Sequence, residues 1–165
     1  MASDIDSKQI HPPLNSNLQF KSLPWTKGVR VLVTDSNGLI AVEKEAGVLS
    51  HPNRKSDKGK GLLKLPYNSE QRAYIQPRGE NGDLQPIYLL NRLDSATSGI
   101  LLLSATPKTR KAVLEAFEKR KVAKLYKALV FGVAIPKGRG GIWKDRLQVI
   151  QSRKSVRANT GLGKS

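Results

Sequence analysis

The stretch Asn91-Arg92-Leu93-Asp94-Ser95-Ala96-Thr97-Ser98-Gly99 concentrates the side chains of this chain that could do chemistry. On an extended backbone Arg92 and Asp94 share a face, because strand side chains repeat every two residues. A guanidinium beside a carboxylate keeps it ionised and can fix its rotamer through charge-assisted hydrogen bonds. Such a carboxylate could act as an anionic nucleophile. The same arrangement is a common structural ion pair, and position and composition alone favour that structural role. Thr97, Ser98 and Gly99 also read as a turn. His11 and His51 are the only histidines and there is no Cys, so thiolate zinc sites, Fe–S clusters and disulfides are excluded.

The island lies between two apolar runs that must hold it, residues 87–90 and 100–103. Both have strand character. Upstream, residues 29–33 predict a strand with Val29, Val31 and Val33 on one face. Asp35-Ser36-Asn37-Gly38 is a tight-turn signal, since Asn and Gly accept positive φ. Residues 39–42 then complete a hairpin. Residues 47–61 break the pattern, and 62–86, with Pro66, Pro77 and Pro86, predict a loop-rich excursion around one short element. Thr106-Pro107 is a helix start. That helix is expected to run to about Lys121 with Val113, Leu114 and Phe117 inward. Residues 125–130 alternate as a strand, residues 136–141 form a basic connection, and Leu147, Val149 and Ile150 support a last strand. The tail from Ser152 offers little that could pack.

Lys and Arg number 29 against 13 Asp and Glu, a formal charge of +16 that selects polyanions as partners. The balance is 0 over residues 1–50, +3 over 51–100 and +13 over 101–165. RNA or DNA is the leading partner on charge, with affinity that falls as salt rises. Arg54, Lys55, Lys108, Lys111 and Lys124 are the expected nucleic-acid surface. Tyr126 could offer a stacking face to a base, although a strand Tyr is more often packing. With 38% hydrophobic residues the chain is not wholly disordered, and no apolar run reaches the roughly 20 residues of a membrane span. No membrane partner or obligate protein partner is expected. The amino terminus lacks the pattern of a secretory signal, and a cytoplasmic location is expected, with organelle and nucleus left open.

Residues 91–103 resemble the active-site motif of the RluA-type RNA pseudouridine synthases. Residues 37–52 resemble the strand and loop that precede it, and residues 117–132 the helix end and the strand bearing that family's active-site tyrosine. The resemblance implies an α+β (mixed α/β) fold around a largely antiparallel sheet, and isomerisation of uridine to pseudouridine in structured RNA such as tRNA or rRNA. It makes Asp94 the catalytic nucleophile and Tyr126 the residue packing against the target base. Arg92, Asn91 and Thr97 become substrate contacts. It implies no cofactor and no metal. Many relatives carry His where this chain has Asn91. The family also has a later Gly-Arg-containing segment that residues 161–165 do not match, so by the resemblance roughly the last third to half of the catalytic domain is missing.

The expected organisation is an arm or irregular covering segment over residues 1–28, a partial catalytic domain over 29–160 and a flexible tail over 161–165. Two other readings fit the same residues: an RNA-binding remnant with weak or no activity, and a basic structural component of a ribonucleoprotein in which Arg92 and Asp94 are an internal ion pair.

Overall fold

The computed structural model describes residues 20–78, 83–129, 147–152 and 155–160. The chain divides into two units, Met1–Ala123 and Lys124–Ser165. The first is built on a six-stranded sheet of order β1-β2-β6-β5-β4-β3: β1 (Val29–Thr34), β2 (Leu39–Lys44), β3 (Tyr67–Asn68), β4 (Ala73–Arg78), β5 (Asp83–Leu89) and β6 (Gly99–Ser104). Every neighbouring pair is antiparallel. With the helix α1 (Pro107–Glu118) this is an α+β arrangement dominated by antiparallel sheet.

The β1–β2 hairpin forms where the turn signal predicts it. The Asp35 carboxylate accepts from the backbone N–H of Asn37 (2.9 Å) and Leu39 (2.8 Å), and Gly38 takes the positive φ of 84° that closes the turn. The three valines of β1 do not share a face. A bulge lets Val31 oppose Val42 and Val33 oppose Ala41, which turns Val33 to solvent.

One face of the sheet carries the core. Ile40 and Val42 of β2, Leu101 and Leu103 of β6, Ile87 and Leu89 of β5 and Tyr74 of β4 are buried together with Phe20, Leu23, Leu62 and Leu63. Residues 20–28 therefore cover this face. Trp25 bridges to Leu63 and donates its indole N–H to the Phe20 carbonyl (3.0 Å).

The expected loop-rich excursion over 62–86 is instead β3, β4 and most of β5. Pro77 and Pro86 hid these strands from the pattern. Pro86 opposes Ile75 of β4 but lies before β5 meets β6, which it does only at Tyr88 and Leu89. Pro77 lies beyond the short β3 pairing of β4. Each proline thus sits where one edge of its strand needs no ladder donor.

Thr106 caps α1 by accepting from Thr109 N–H (3.2 Å), and Thr106 and Thr109 both donate their hydroxyls to the Asn37 carbonyl (3.0 and 2.6 Å). The helix start is thereby fastened to the β1–β2 turn. It ends at Glu118, before the expected Lys121. Arg120 takes φ 53° and donates to Phe117 O (3.1 Å), while Lys121 donates to Ala116 O (2.8 Å). This is a Schellman stop with Arg at the position Gly usually fills. Val113, Leu114 and Phe117 are only half-buried, and no residue of the helix is buried.

In the second unit, residues 124–129 form no strand, against the expectation for 125–130; Val130 lies outside the described residues. Alternation assigns faces, but a strand exists only where a neighbour satisfies its ladder, and no described strand pairs with this segment. β7 (Leu147–Ser152) forms as expected. Its partner β8 (Ser155–Thr160) falls in the tail expected not to pack, with Leu147 opposite Thr160 and Ser152 opposite Ser155. In the sequence Val156 and Ala158 alternate with Arg157 and Asn159, the two-residue period of a strand, which the few apolar residues of the tail obscure. The connection over 136–141, the arm over 1–19 and the tail over 161–165 lie outside the described residues.

Candidate active site

The island at 91–98 is the loop that carries the chain from β5 into β6. It opens where the two strands part. Leu90 N–H still donates to Leu102 O (2.9 Å), after which the Asn91 side chain takes over the ladder: its Oδ1 accepts from Leu102 N–H (2.7 Å) and its Nδ2 donates to Ile100 O (3.4 Å). The Asn91 amide is thus committed to strand backbone. Next, the Ser50 hydroxyl accepts from Leu93 N–H (3.0 Å) and donates to Leu93 O (2.6 Å). Ser50 is buried and fixed in turn, because Tyr74 donates its hydroxyl to Ser50 O (2.8 Å) while accepting from Leu62 N–H (2.8 Å).

Beyond Leu93 the backbone turns, with Thr97 N–H donating to Asp94 O (3.0 Å) and Gly47 N–H donating to Ser95 O (2.7 Å). Beneath it lies Lys44, which is 0% exposed. Its ammonium donates to three carbonyls: Thr97 O (2.6 Å), Ser95 O (3.1 Å) and Glu45 O (3.2 Å). Its three N–H donors therefore match three acceptors. Burial pushes the Lys44 pKa below its usual value, and the Asp94 carboxylate pulls it back up. Lys44 stands opposite Gly99 in the β2–β6 register. Gly99 has φ 141°, a conformation side chains resist, although a Cβ there would meet Leu93 Cδ1 only at ordinary contact distance, 3.4 Å.

With its backbone held from below, the loop presents Arg92 and Asp94 upward. They line a cleft of about 310 Å³ together with Leu49, Ser50, His51, Asn53, Leu93 and Ser95. Both charged residues are exposed, and no ion pair joins them among the described residues. The expected Arg92–Asp94 pair is thus not formed. Extended spacing puts both on one face, but an exposed pair gains little from closing in water.

The expected site residues separate by place. Arg92 and Asp94 share the cleft, whereas Asn91 and Thr97 frame it through backbone hydrogen bonds. Arg54 and Lys55 are exposed at the 3-10 turn Lys55–Asp57, one residue beyond the cleft-lining Asn53. Lys108 and Lys111 lie in the first turns of α1, which follows the end of β6 opposite to the Asp94 loop. Lys124 and Tyr126 belong to the second unit, where Tyr126 is 62% exposed. Lys44, Ser50 and His51 are the additions that the structure makes. For Lys44 the signal was present in the sequence: a lysine two residues after Val42 on the inward face of β2. Among the described residues no group of His, Asp and Glu is placed to hold a metal ion, and no helix is long and apolar enough to cross a membrane.

Residues 38–164 match the family described as RNA pseudouridylate synthase. The chain is 24% identical over 130 residues to a ribosomal large subunit pseudouridine synthase D of Pseudomonas aeruginosa, covering 74% of this chain and 38% of that protein. It is 33% identical over 100 residues to a tRNA pseudouridine synthase C of Haemophilus ducreyi, covering 61% of this chain and 36% of the other. A dual-specificity RNA pseudouridine synthase RluA of Vibrio parahaemolyticus is 28% identical over 109 residues, 66% of this chain and 36% of its own. The chain thus spans well under half the length of these relatives. The family match runs from the β1–β2 turn through the Asp94 loop into β8, and the relatives agree with it: the chain belongs to the RNA pseudouridylate synthase family, in its RluA-type branch.

Proposed function

We propose that this protein isomerises uridine to pseudouridine in RNA, with Asp94 as the nucleophile. The observation that carries the reading is the Asp94 loop itself. Its backbone is clamped by Ser50 and Lys44, while its carboxylate stands exposed in a cleft beside Arg92. A side chain that must reach the glycosidic region of a flipped nucleotide needs that combination of fixed backbone and open approach. Isomerisation exchanges the bond between base N1 and ribose C1′ for one between C5 and C1′; C5 gives up a proton and N1 takes one, so no oxidant or reductant is required. Asp94 bonds covalently to the target uridine or its ribose, which permits the base to detach and turn. That bond breaks again as C5 joins C1′, so the free carboxylate is regenerated. Arg92 holds the flipped nucleotide or its phosphate. Tyr126 is assigned the base-facing role on the family motif alone. The three relatives are named for ribosomal, transfer and dual-specificity RNA modification, which makes structured RNA the substrate class.

Asp94→Asn keeps the shape of the side chain and removes its nucleophilic oxygen. Pseudouridine formation, followed by mass-based analysis of the RNA, should fall by at least ~1,000-fold, with RNA affinity and thermal unfolding nearly unchanged. Comparable turnover by the Asn variant would reject Asp94. RNA binding without turnover in the unaltered protein would favour the binding remnant instead.

A further inference from the structure

We propose that Arg72, Arg92 and the Tyr67 hydroxyl form a subsite for the phosphodiester beside the target uridine, on the His51 side of the cleft. The inference rests on the RNA-uridine reading above and deepens it. His51 and Arg92 line the cleft together with Asp94. The His51 ring lies flat on Tyr67, with centroids 4.8 Å apart and planes 8° apart, and Tyr67 meets Tyr74 edge-on at 5.0 Å. Tyr74 is pinned in the core by its two backbone hydrogen bonds. Three rings in series therefore tie the cleft wall to the core, and Ser50 joins the same anchor to Leu93, between Arg92 and Asp94. The two sides of the subsite cannot drift apart independently.

Arg72 enters from the β3–β4 hairpin. Tyr67 opposes Tyr74 and Asn68 opposes Ala73. The loop between them is closed by Gln71 N–H donating to the Asn68 side chain (3.0 Å), and Leu89 N–H holds the Arg72 carbonyl (2.8 Å). Arg72 itself has φ 53°, a conformation that Gly or Asn adopts more readily. The chain nevertheless places an exposed guanidinium there. Neither Arg72 nor Arg92 has a carboxylate partner among the described residues. Both act on the Tyr67 hydroxyl: burial raises its pKa, and Arg72 and then Arg92 draw it down. Two guanidiniums and one neutral hydroxyl donor, with no carboxylate paired to either guanidinium among the described residues, make a site suited to an anion. Arg forks suit phosphate oxygens, and the adjoining ring wall suits the rest of a nucleotide.

The test uses the full chain and a fluorescent RNA hexamer carrying a single uridine. Arg72→Gly fits φ 53° without strain, so thermal stability should hold or rise while affinity falls roughly fivefold. The dependence of log Kd on log salt should flatten by about 0.7, the share of one phosphate contact on a single strand. Tyr67→Phe keeps the ring stack and should lose about threefold. Replacing one of the two linkages flanking the uridine by a neutral methylphosphonate should weaken binding to the unaltered chain and have little further effect on Arg72→Gly. Unchanged affinity and salt slope in Arg72→Gly, with pseudouridine formation still dependent on Asp94, would overturn the subsite alone. No binding of the hexamer by the unaltered chain would overturn the subsite, whereas no pseudouridine in a structured RNA incubated with the unaltered chain would overturn the reading beneath it.

Discussion

Lys44 occupies an inward strand position between Val42 and the Asp94 loop, where an apolar residue would ordinarily sit. Its stem packs with the core, and its ammonium replaces water with three carbonyls. Two of those carbonyls, from Ser95 and Thr97, belong to the turn that carries Asp94, so Lys44 is a positioning residue. Lys44→Met preserves the stem volume but strips the donors from three partly buried acceptors, a loss of about 2 kcal/mol. Thermal unfolding should show it, and turnover should fall further than RNA affinity because the loop, not the RNA surface, is disturbed. An unchanged melting temperature would show that the ammonium does not support the loop. Asp94 and Arg92 could be read from their spacing and from the family motif. The inward position of Lys44 follows from the alternation of β2, but its acceptors on the Asp94 loop, like the Leu93 partner of Ser50, could not be read, because those backbone groups are distant in sequence.

At the scale of the element, the β3–β4 hairpin places two phenols against the core. Burial raises the pKa of Tyr74 far above its usual value and that of Tyr67 more modestly. Above about pH 10 the unfolded chain loses those protons while the folded chain keeps them, so stability must fall as pH rises. Each such phenol contributes about 1.4 kcal/mol per pH unit within that window. Chemical denaturation at several alkaline pH values should show a flatter decline for Tyr74→Phe, which will also be less stable at neutral pH because Ser50 O and Leu62 N–H lose their partner. This hairpin was the least legible part of the fold. Pro77 of β4 and Pro86 of the neighbouring β5 read as loop, although each occupies a strand edge that needs no donor. The helix start at Thr106 and Pro107 was legible from local chemistry, but its end was not, since Arg120 fills the left-handed stop without a glycine to mark it. Residues 125–130 show the converse error, in which alternation without a ladder partner gave no strand over 124–129.

For the whole molecule, the charge is spread beyond the cleft. Arg92, Arg54 and Lys55 lie at or near it, whereas Lys108 and Lys111 begin the helix that follows the far end of β6, a strand of about 20 Å. A structured RNA that covers both regions should lose about tenfold or more in affinity between 50 and 200 mM salt, and more steeply than a hexamer confined to the cleft. Equal slopes for the two RNAs, measured by titration, would show that the helix end takes no part. The composition points to a polyanion partner but not to this division, because charge counts carry no positions.

The hydrogen bonds that hold the Asp94 loop also fix when the loop can exist. Lys44 reaches Ser95 and Thr97 across 51 and 53 residues of chain, and Ser50 reaches Leu93 across 43. Closures of that length come after local hairpins and helices in folding, since the entropy of the long loop must be lost before the contacts form. A nascent or partly folded chain can therefore complete the β1–β2 hairpin while its aspartate is still unplaced. The geometry of the loop arises only when β6 docks on β2, so the carboxylate is presented by a folded sheet and by nothing earlier.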